Sequence, residues 1–199
     1  MFKLDQEVFS ENLLNHNFFY SNFFPGYTQN LTESGDIMLH IGHYTIIDYS
    51  KERFRSKPRA IIYGLGSCIA LILFDSLKKI GSMSHILLPS SEKAKNINFP
   101  HKYADLSVKC LAYELISKGA YLKNIKAIII GGSSIFNNMD IGISGDNIET
   151  VKTHLAKLNL KIVREETGGN QGRTVIYEPF NNNLVLIKFT SEKDYRRLY

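Results

Sequence analysis

A thiol set in a glycine-rich turn, with an imidazole seventeen residues further on, is the combination in this chain that could do chemistry. The run Ile62-Tyr63-Gly64-Leu65-Gly66-Ser67-Cys68 carries the thiol and His85 carries the imidazole. The residues between them read as a β-hairpin. Ile69 to Phe74 is a short apolar run with β-branched and aromatic members, suited to a buried strand. Asp75-Ser76-Leu77-Lys78 supplies turn chemistry, Lys79 to Leu88 reads as the return strand, and Pro89 ends it. With Ser76 and Leu77 at the tip, Phe74 faces Lys79, Ala70 faces Met83, and Cys68 faces His85. Directly opposed residues share one face, with Cβ atoms roughly 4.5–5.5 Å apart. An imidazole at that reach can take the proton of a thiol, and the thiolate is the nucleophile.

Each of these residues also has a plainer reading. A cysteine in an apolar strand is usually small core filler, and a histidine in such a strand is more often a satisfied core residue than a catalyst. The glycines favour the functional reading for Cys68, because they let backbone approach a ligand and free N–H groups at Gly66 and Ser67 to hold an oxyanion. The register with Cys68 favours it for His85. Cys110, on a helix between Lys109 and Leu111, has no such surroundings and reads as structural. His40 and His43 lie three apart without a cysteine or carboxylate cluster, so no metal is expected. Thr167 to Arg173 is glycine-rich but lacks the Gly-Lys-Ser/Thr ending of a phosphate loop and leads into no helix. It reads either as a wide hairpin turn or as a loop lining a site, with Asn170 or Arg173 as polar contacts. The same two readings apply to Gly131-Gly132-Ser133-Ser134.

The elements that position these residues follow from pattern. The chain of 199 residues, 44% of them hydrophobic, fits one domain plus an extension. No apolar run approaches the roughly 20 residues of a membrane span. Met1 to Glu7 is acidic and interrupted, unlike a secretory signal, and two cysteines make no disulfide framework. The cytoplasm is therefore the expected location. A net charge of +5 raises nucleic-acid binding, but the lysines are scattered and do not interleave with aromatics, which argues against it. The tail from Lys193 to Arg197 reads as a solvated terminus. Residues 1–36, rich in Asn, Phe and Tyr, read as an arm packed on the domain or as a docking segment; residues 37–199 form the domain proper. Ile41 to Ile47 and Arg59 to Tyr63 suit strands. Ala104 to Lys118 suits a helix closed by Gly119, and Ile125 to Ile130 a buried strand. Asp146 and Glu149 resemble a capping box opening a second helix, with Ile148, Val151, Leu155 and Leu158 on its apolar face. Strands follow at 160–165, 174–178 and 184–189, the last two joined by Asn181-Asn182-Asn183. Hairpins plus two helices mean α/β or α+β with a mixed sheet.

Taken in order, Gly64-Leu65-Gly66-Ser67-Cys68, Met83 to Pro89, Lys102-Tyr103-Ala104-Asp105, Gly131-Gly132, Ile141-Gly142, Asn147-Ile148-Glu149 and Gly168 to Arg173 form a specific set. Over roughly residues 37–190 the chain resembles the CheD family, the chemoreceptor glutamine deamidases of bacterial and archaeal chemotaxis. The resemblance implies an α/β layered sandwich with mixed β-sheets and two main helices, similar to the catalytic domain of cytotoxic necrotizing factor toxins. It implies a protein-glutamine glutaminase in which Cys68 is the nucleophile and His85 the base, with no organic cofactor. The family often has a threonine six residues before the cysteine as a third catalytic member. Here that position is Ile62, so only backbone there, or a carbonyl near it, can orient His85.

The implied substrate is a glutamine side chain on a chemoreceptor helix, converted to glutamate through a thioester. The same acyl chemistry could hydrolyse glutamate methyl esters. The implied partner is a CheC-type phosphatase, with Phe136 of Ser133-Ser134-Ile135-Phe136 as an apolar anchor or, equally, as a core residue. Two other classes compete with the enzyme. One is a chemotaxis adaptor that binds receptor or CheC without catalysis, motivated by Ile62. The other is a cysteine amidase acting on a small molecule, which predicts a deep closed pocket where a deamidase needs an open groove.

Overall fold

The computed structural model describes residues 27–28, 32, 35–50, 57–135 and 142–199. Among them two five-stranded sheets stack face to face, and two helices cover one of the sheets. The central sheet contains β2 (Tyr44–Asp48), β5 (Ile80–Ile86), β4 (Ile69–Asp75), β6 (Lys126–Gly131) and β7 (Lys161–Thr167), in that order. The outer sheet contains β1 (Ile37–Met38), β3 (Ala60–Leu65), β8 (Arg173–Glu178), β9 (Leu184–Phe189) and β10 (Arg196–Arg197). Each sheet mixes directions, with β6 and β7 parallel in one and β1 and β3 parallel in the other. Helices α1 (Ala104–Ser117) and α2 (Ile143–Lys157) lie against the central sheet. This is the expected α/β layered sandwich with two main helices.

The layering explains the strand compositions. The central strands are covered on both faces, so β4 and β5 are buried along their whole length and β4 is an almost unbroken apolar run. One core, including Leu71, Leu73, Val108, Leu111, Ile129 and Leu155, fills the space between the central sheet and the helices. A second, including Ile62, Leu65, Cys68, Ala70, Met83 and Tyr177, fills the space between the sheets. The polar residues of β5 are satisfied in place. Ser82 donates to the Leu73 carbonyl at 2.9 Å, and the Ser84 and Ser107 hydroxyls lie 2.9 Å apart.

Helix α1 ends as its sequence requires. Gly119 adopts φ +99°, Ala120 N–H donates to Leu115 O and Gly119 N–H to Ile116 O, which is the paired closure that a left-handed glycine permits. Helix α2 begins earlier than the Asp146–Glu149 capping pattern predicts. Its N-cap is Gly142 at φ +76°, and Asp146 already donates its N–H to Gly142 O. Asp146 instead adds negative charge to the first turn, where the helix dipole favours it. The tail also differs from expectation. Arg196 and Arg197 pair with β9 as a short edge strand while their side chains stay exposed. Most of the 1–36 arm lies outside the described residues. Tyr27 and Thr28 run beside β2, with Thr28 N–H donating to Tyr44 O at 2.8 Å.

No helix among the described residues is long and apolar enough to cross a membrane.

His101 gives the fold a pH-dependent element. It is fully buried, stacked on Tyr44 with ring centroids 3.9 Å apart, with Nδ1 3.1 Å from the Ser107 hydroxyl. Burial pushes its pKa down to about 3. The unfolded chain, with an ordinary value of about 6.5, takes up a proton that the folded chain refuses. Stability is therefore complete above that ordinary value and is lost as pH falls toward the folded one. Denaturant unfolding should show wild type losing about 2 kcal/mol between pH 6.5 and 5 from this residue, with a shallower acid limb in His101→Gln.

Candidate active site

The hairpin that carries Cys68 and His85 forms, with a register that differs from the sequence expectation. Ala70, not Cys68, lies directly opposite His85, and Ile69 opposite Ile86. The cause is the turn. Four residues, Ser76 to Lys79, connect the strands instead of two. Asp75 Oδ1 accepts from Leu77 and Lys78 N–H at 3.0 and 3.2 Å, and Lys79 takes φ +52°. Every expected pair is thereby displaced by two residues. A displacement of two preserves the face. Cys68 and His85 are thus diagonal neighbours on the side that looks toward the outer sheet, and the adjacent Ala70 and Met83 belong to the inter-sheet core with Cys68. Diagonal neighbours stand about 7–8 Å apart between backbones, closer between long side chains.

Both side chains are nearly enclosed, Cys68 with 9% and His85 with 7% of its surface exposed. His85 Nδ1 lies 3.1 Å from the carbonyl oxygen of Leu39, at the end of β1. A carbonyl only accepts, so Nδ1 carries the hydrogen and Nε2 keeps its lone pair. Of the two sequence alternatives, backbone at Ile62 itself or a carbonyl near it, the acceptor found at His85 Nδ1 is a neighbouring carbonyl, that of Leu39. That strand runs parallel beside β3, with Met38 paired to Ile61 and Leu39 N–H donating to Ile61 O. The Leu39 carbonyl therefore sits next to Ile62, whose own side chain is fully buried in the inter-sheet core. Burial chiefly lowers the His85 pKa; the Leu39 carbonyl opposes this, and His40 and His43 lower it further. His85 is accordingly a neutral imidazole near pH 7.

The turn before the thiol is fastened through three consecutive carbonyls. Gly66 O accepts from Ser133 N–H at 2.9 Å and Cys68 O from Gly132 N–H at 2.8 Å. Ser67 O accepts from the Asn147 side-chain amide at 3.0 Å. Gly64 holds φ +65°, and the ladder between β3 and β8 shifts register between Ile62 and Leu65, an irregularity of the kind that bends a strand locally. Gly131 permits the closest approach. It lies at φ +116°, and a Cβ there would fall 2.1 Å from Cys68 O. Ile135 covers Gly66, whose added Cβ would meet its Cδ1 at 2.7 Å, and 40% of the Ile135 surface remains exposed.

The segment 168–172 is not a hairpin turn. β7 belongs to the central sheet and β8 to the outer one, so the segment crosses between sheets. Asn170 is exposed on it. Arg173 points inward, 2% exposed, and donates to the carbonyls of Gly131 at 3.0 Å, Glu166 at 2.7 Å and Gly168. Burial lowers its pKa, with Glu166 opposing. It therefore clamps the backbone behind the thiol rather than lining the site. Cys110 is buried in α1, and desolvation pushes its thiol pKa far above the ordinary range, as its structural reading requires. Phe136 and Ile141 lie outside the described residues. Sequence reasoning missed Leu39, which acts through its backbone and leaves no side-chain signal, and it singled out Asn147 only as part of the Asn147-Ile148-Glu149 motif, without its contacts to Ser67 and Leu87.

The family described as CheD chemotactic sensory transduction matches residues 87–188. A Clostridium tetani protein named probable chemoreceptor glutamine deamidase CheD is 42% identical over 138 residues, covering 67% of this chain and 83% of that protein. The chemoreceptor glutamine deamidase CheD of Thermotoga maritima is 36% identical over 152 residues, covering 76% and 90%. A probable chemoreceptor glutamine deamidase of Methanosarcina acetivorans is 33% identical over 156 residues, covering 78% and 94%. The chain belongs to the CheD family.

The two glycines separate strain from collision. A Cβ on Gly64 meets nothing within 4 Å, so Gly64→Ala should cost about 1–2 kcal/mol, the left-handed penalty alone. Gly131→Ala adds a backbone collision to that penalty and should cost clearly more, as read by chemical denaturation of both variants.

Proposed function

We propose that the protein is a chemoreceptor glutamine deamidase in which Cys68 and His85 form a thioester-making pair. The observation that carries the reading is the orientation of His85. Its Nδ1–H is held by Leu39 O across the sandwich, and Nε2 is the basic nitrogen on the face that also carries Cys68. The names of the similar proteins supply the substrate class, a glutamine on a chemoreceptor.

The steps follow from the groups present. His85 Nε2 takes the Cys68 proton, and the thiolate attacks the glutamine carboxamide carbon, forming a C–S bond. The N–H groups of Gly66 and Ser67 hold the oxyanion in a turn fixed by its carbonyl anchors. The tetrahedral adduct collapses with cleavage of the C–N bond as His85 returns the proton to the departing ammonia. Water, deprotonated by His85, then attacks the thioester. Glutamate leaves and the proton returns to sulfur. Each turnover leaves one new carboxylate on the receptor, a charge change able to bias a two-state helix bundle. The lowered His85 pKa keeps the base unprotonated at neutral pH, and acidification through that value should switch it off.

Mass spectrometry of a receptor cytoplasmic fragment tests the reading. Wild type should add roughly one dalton per modified site with release of ammonia, and Cys68→Ala should lose about 10³-fold or more in rate with its fold intact. Full activity in Cys68→Ala would defeat the proposal. Ile62→Thr places a hydroxyl in a closed apolar core and should lower stability by about 1–3 kcal/mol. It should not raise kcat, because the His85 Nδ1 position is already filled by Leu39 O.

A further inference from the structure

Asn147 is fully buried on α2, and its amide group makes two bonds. Nδ2 donates to Ser67 O at 3.0 Å and to Leu87 O at 2.9 Å. Both neighbours are carbonyls, which fixes the NH2 end of the amide toward them. Its Oδ1 is buried with no hydrogen-bond partner among the described residues. A buried amide left half-satisfied costs stability that an apolar side chain of similar size would not. Packing alone therefore does not account for an asparagine here; its two N–H donors do.

The two carbonyls belong to the two halves of the site. Ser67 O is part of the peptide unit whose nitrogen is that of Cys68, and Leu87 lies two residues beyond His85. The β4–β5 ladder ends at the pair Ile69 and Ile86. Past that point the strands take other partners, Cys68 O from Gly132 N–H and Leu87 N–H to Lys102 O. One amide thus ties together the two chain segments where their own ladder has stopped. Of the three carbonyl anchors of the turn, it is also the one made by a side chain.

We propose that Asn147 is the positioning residue of the Cys68–His85 pair, fixing the peptide that aims the thiol relative to the strand that carries the imidazole. The inference rests on the thiol–imidazole reading above.

The test uses the full chain with Asn147→Ala and Asn147→Asp. The readouts are ammonia release from a receptor cytoplasmic fragment, the pH dependence of iodoacetamide labelling at Cys68 assigned by mass spectrometry, and thermal unfolding. Asn147→Ala should lose kcat on the order of 10²-fold with KM unchanged. Its Cys68 labelling should move from an early onset toward that of an ordinary cysteine, about pH 8.5. Asn147→Asp keeps the shape but, when ionised, has no donor; its residual activity should rise as pH falls and its carboxyl gains a proton to donate. Should Asn147→Ala fail to fold, Asn147→Ser, which keeps one donor, is put through the same readouts and should fall between wild type and the Asp variant at neutral pH.

A folded variant with wild-type kcat and labelling profile overturns the inference. So does a kcat loss that tracks the loss of thermal stability and disappears on cooling. The deamidase reading fails separately, through Cys68→Ala retaining activity, and the labelling profile, which needs no receptor, still judges Asn147 in that case.

Discussion

The fastening of three consecutive carbonyls, at Gly66, Ser67 and Cys68, is the constraint on which the site depends. Two are held by N–H groups of the strand end at 132–133 and one by a helix side chain. A glycine-rich turn left to itself samples many conformations, because glycine carries the largest backbone entropy. Here that freedom is removed by partners from two other elements. The partners are themselves held, since Arg173 takes Gly131 O and Gly168 N–H donates to the same oxygen. The thiol therefore sits on a fixed peptide, the rigidity that the nucleophile role proposed for it requires.

The imidazole of His85 is fixed by a different device. His85 projects from the central sheet toward the outer one and is met there by the Leu39 carbonyl. The site therefore lies at the seam of the sandwich, where one sheet supplies thiol and imidazole and the other supplies the orienting acceptor. Enclosure lowers the His85 pKa and keeps the imidazole neutral. A carbonyl orients without adding charge, so it fixes the tautomer while leaving that lowered basicity mostly intact. A carboxylate at the same place would have raised it.

The family match over residues 87–188 begins just past Cys68 and His85. The similar proteins align over as much as 78% of the chain, a span that takes in Cys68 and His85 as well; family membership rests on that sequence likeness, and the placement of the pair rests on the hairpin register and the Leu39 contact. The register of the hairpin shows how narrow the geometric condition is. A four-residue loop in place of a two-residue one moved every partner by two positions and left both side chains on one face. A change of one position would have put sulfur and imidazole on opposite faces.

The amino-acid order alone determined the local features. The apolar runs of β4 and β6, the α1 terminus at Gly119, the apolar stripe of α2 and the identities of thiol and imidazole all follow from side-chain pattern, because burial period and backbone permissiveness act over a few residues. It misplaced the start of α2, since an aspartate within a first turn and one at the cap look alike in sequence. It left 167–173 open between a hairpin turn and a loop lining a site; the hairpin alternative fails on which sheet each strand joins, and nothing local says that. Tertiary structure alone decided that Leu39 O meets His85, that Arg173 faces inward to three carbonyls, and that Asn147 joins Ser67 to Leu87. The contacts of His85 and Asn147 and the one from Arg173 to Gly131 link residues 46, 80, 60 and 42 positions apart. Their acceptors are backbone oxygens, which every residue possesses, so only the packing of sheets and helices could select them.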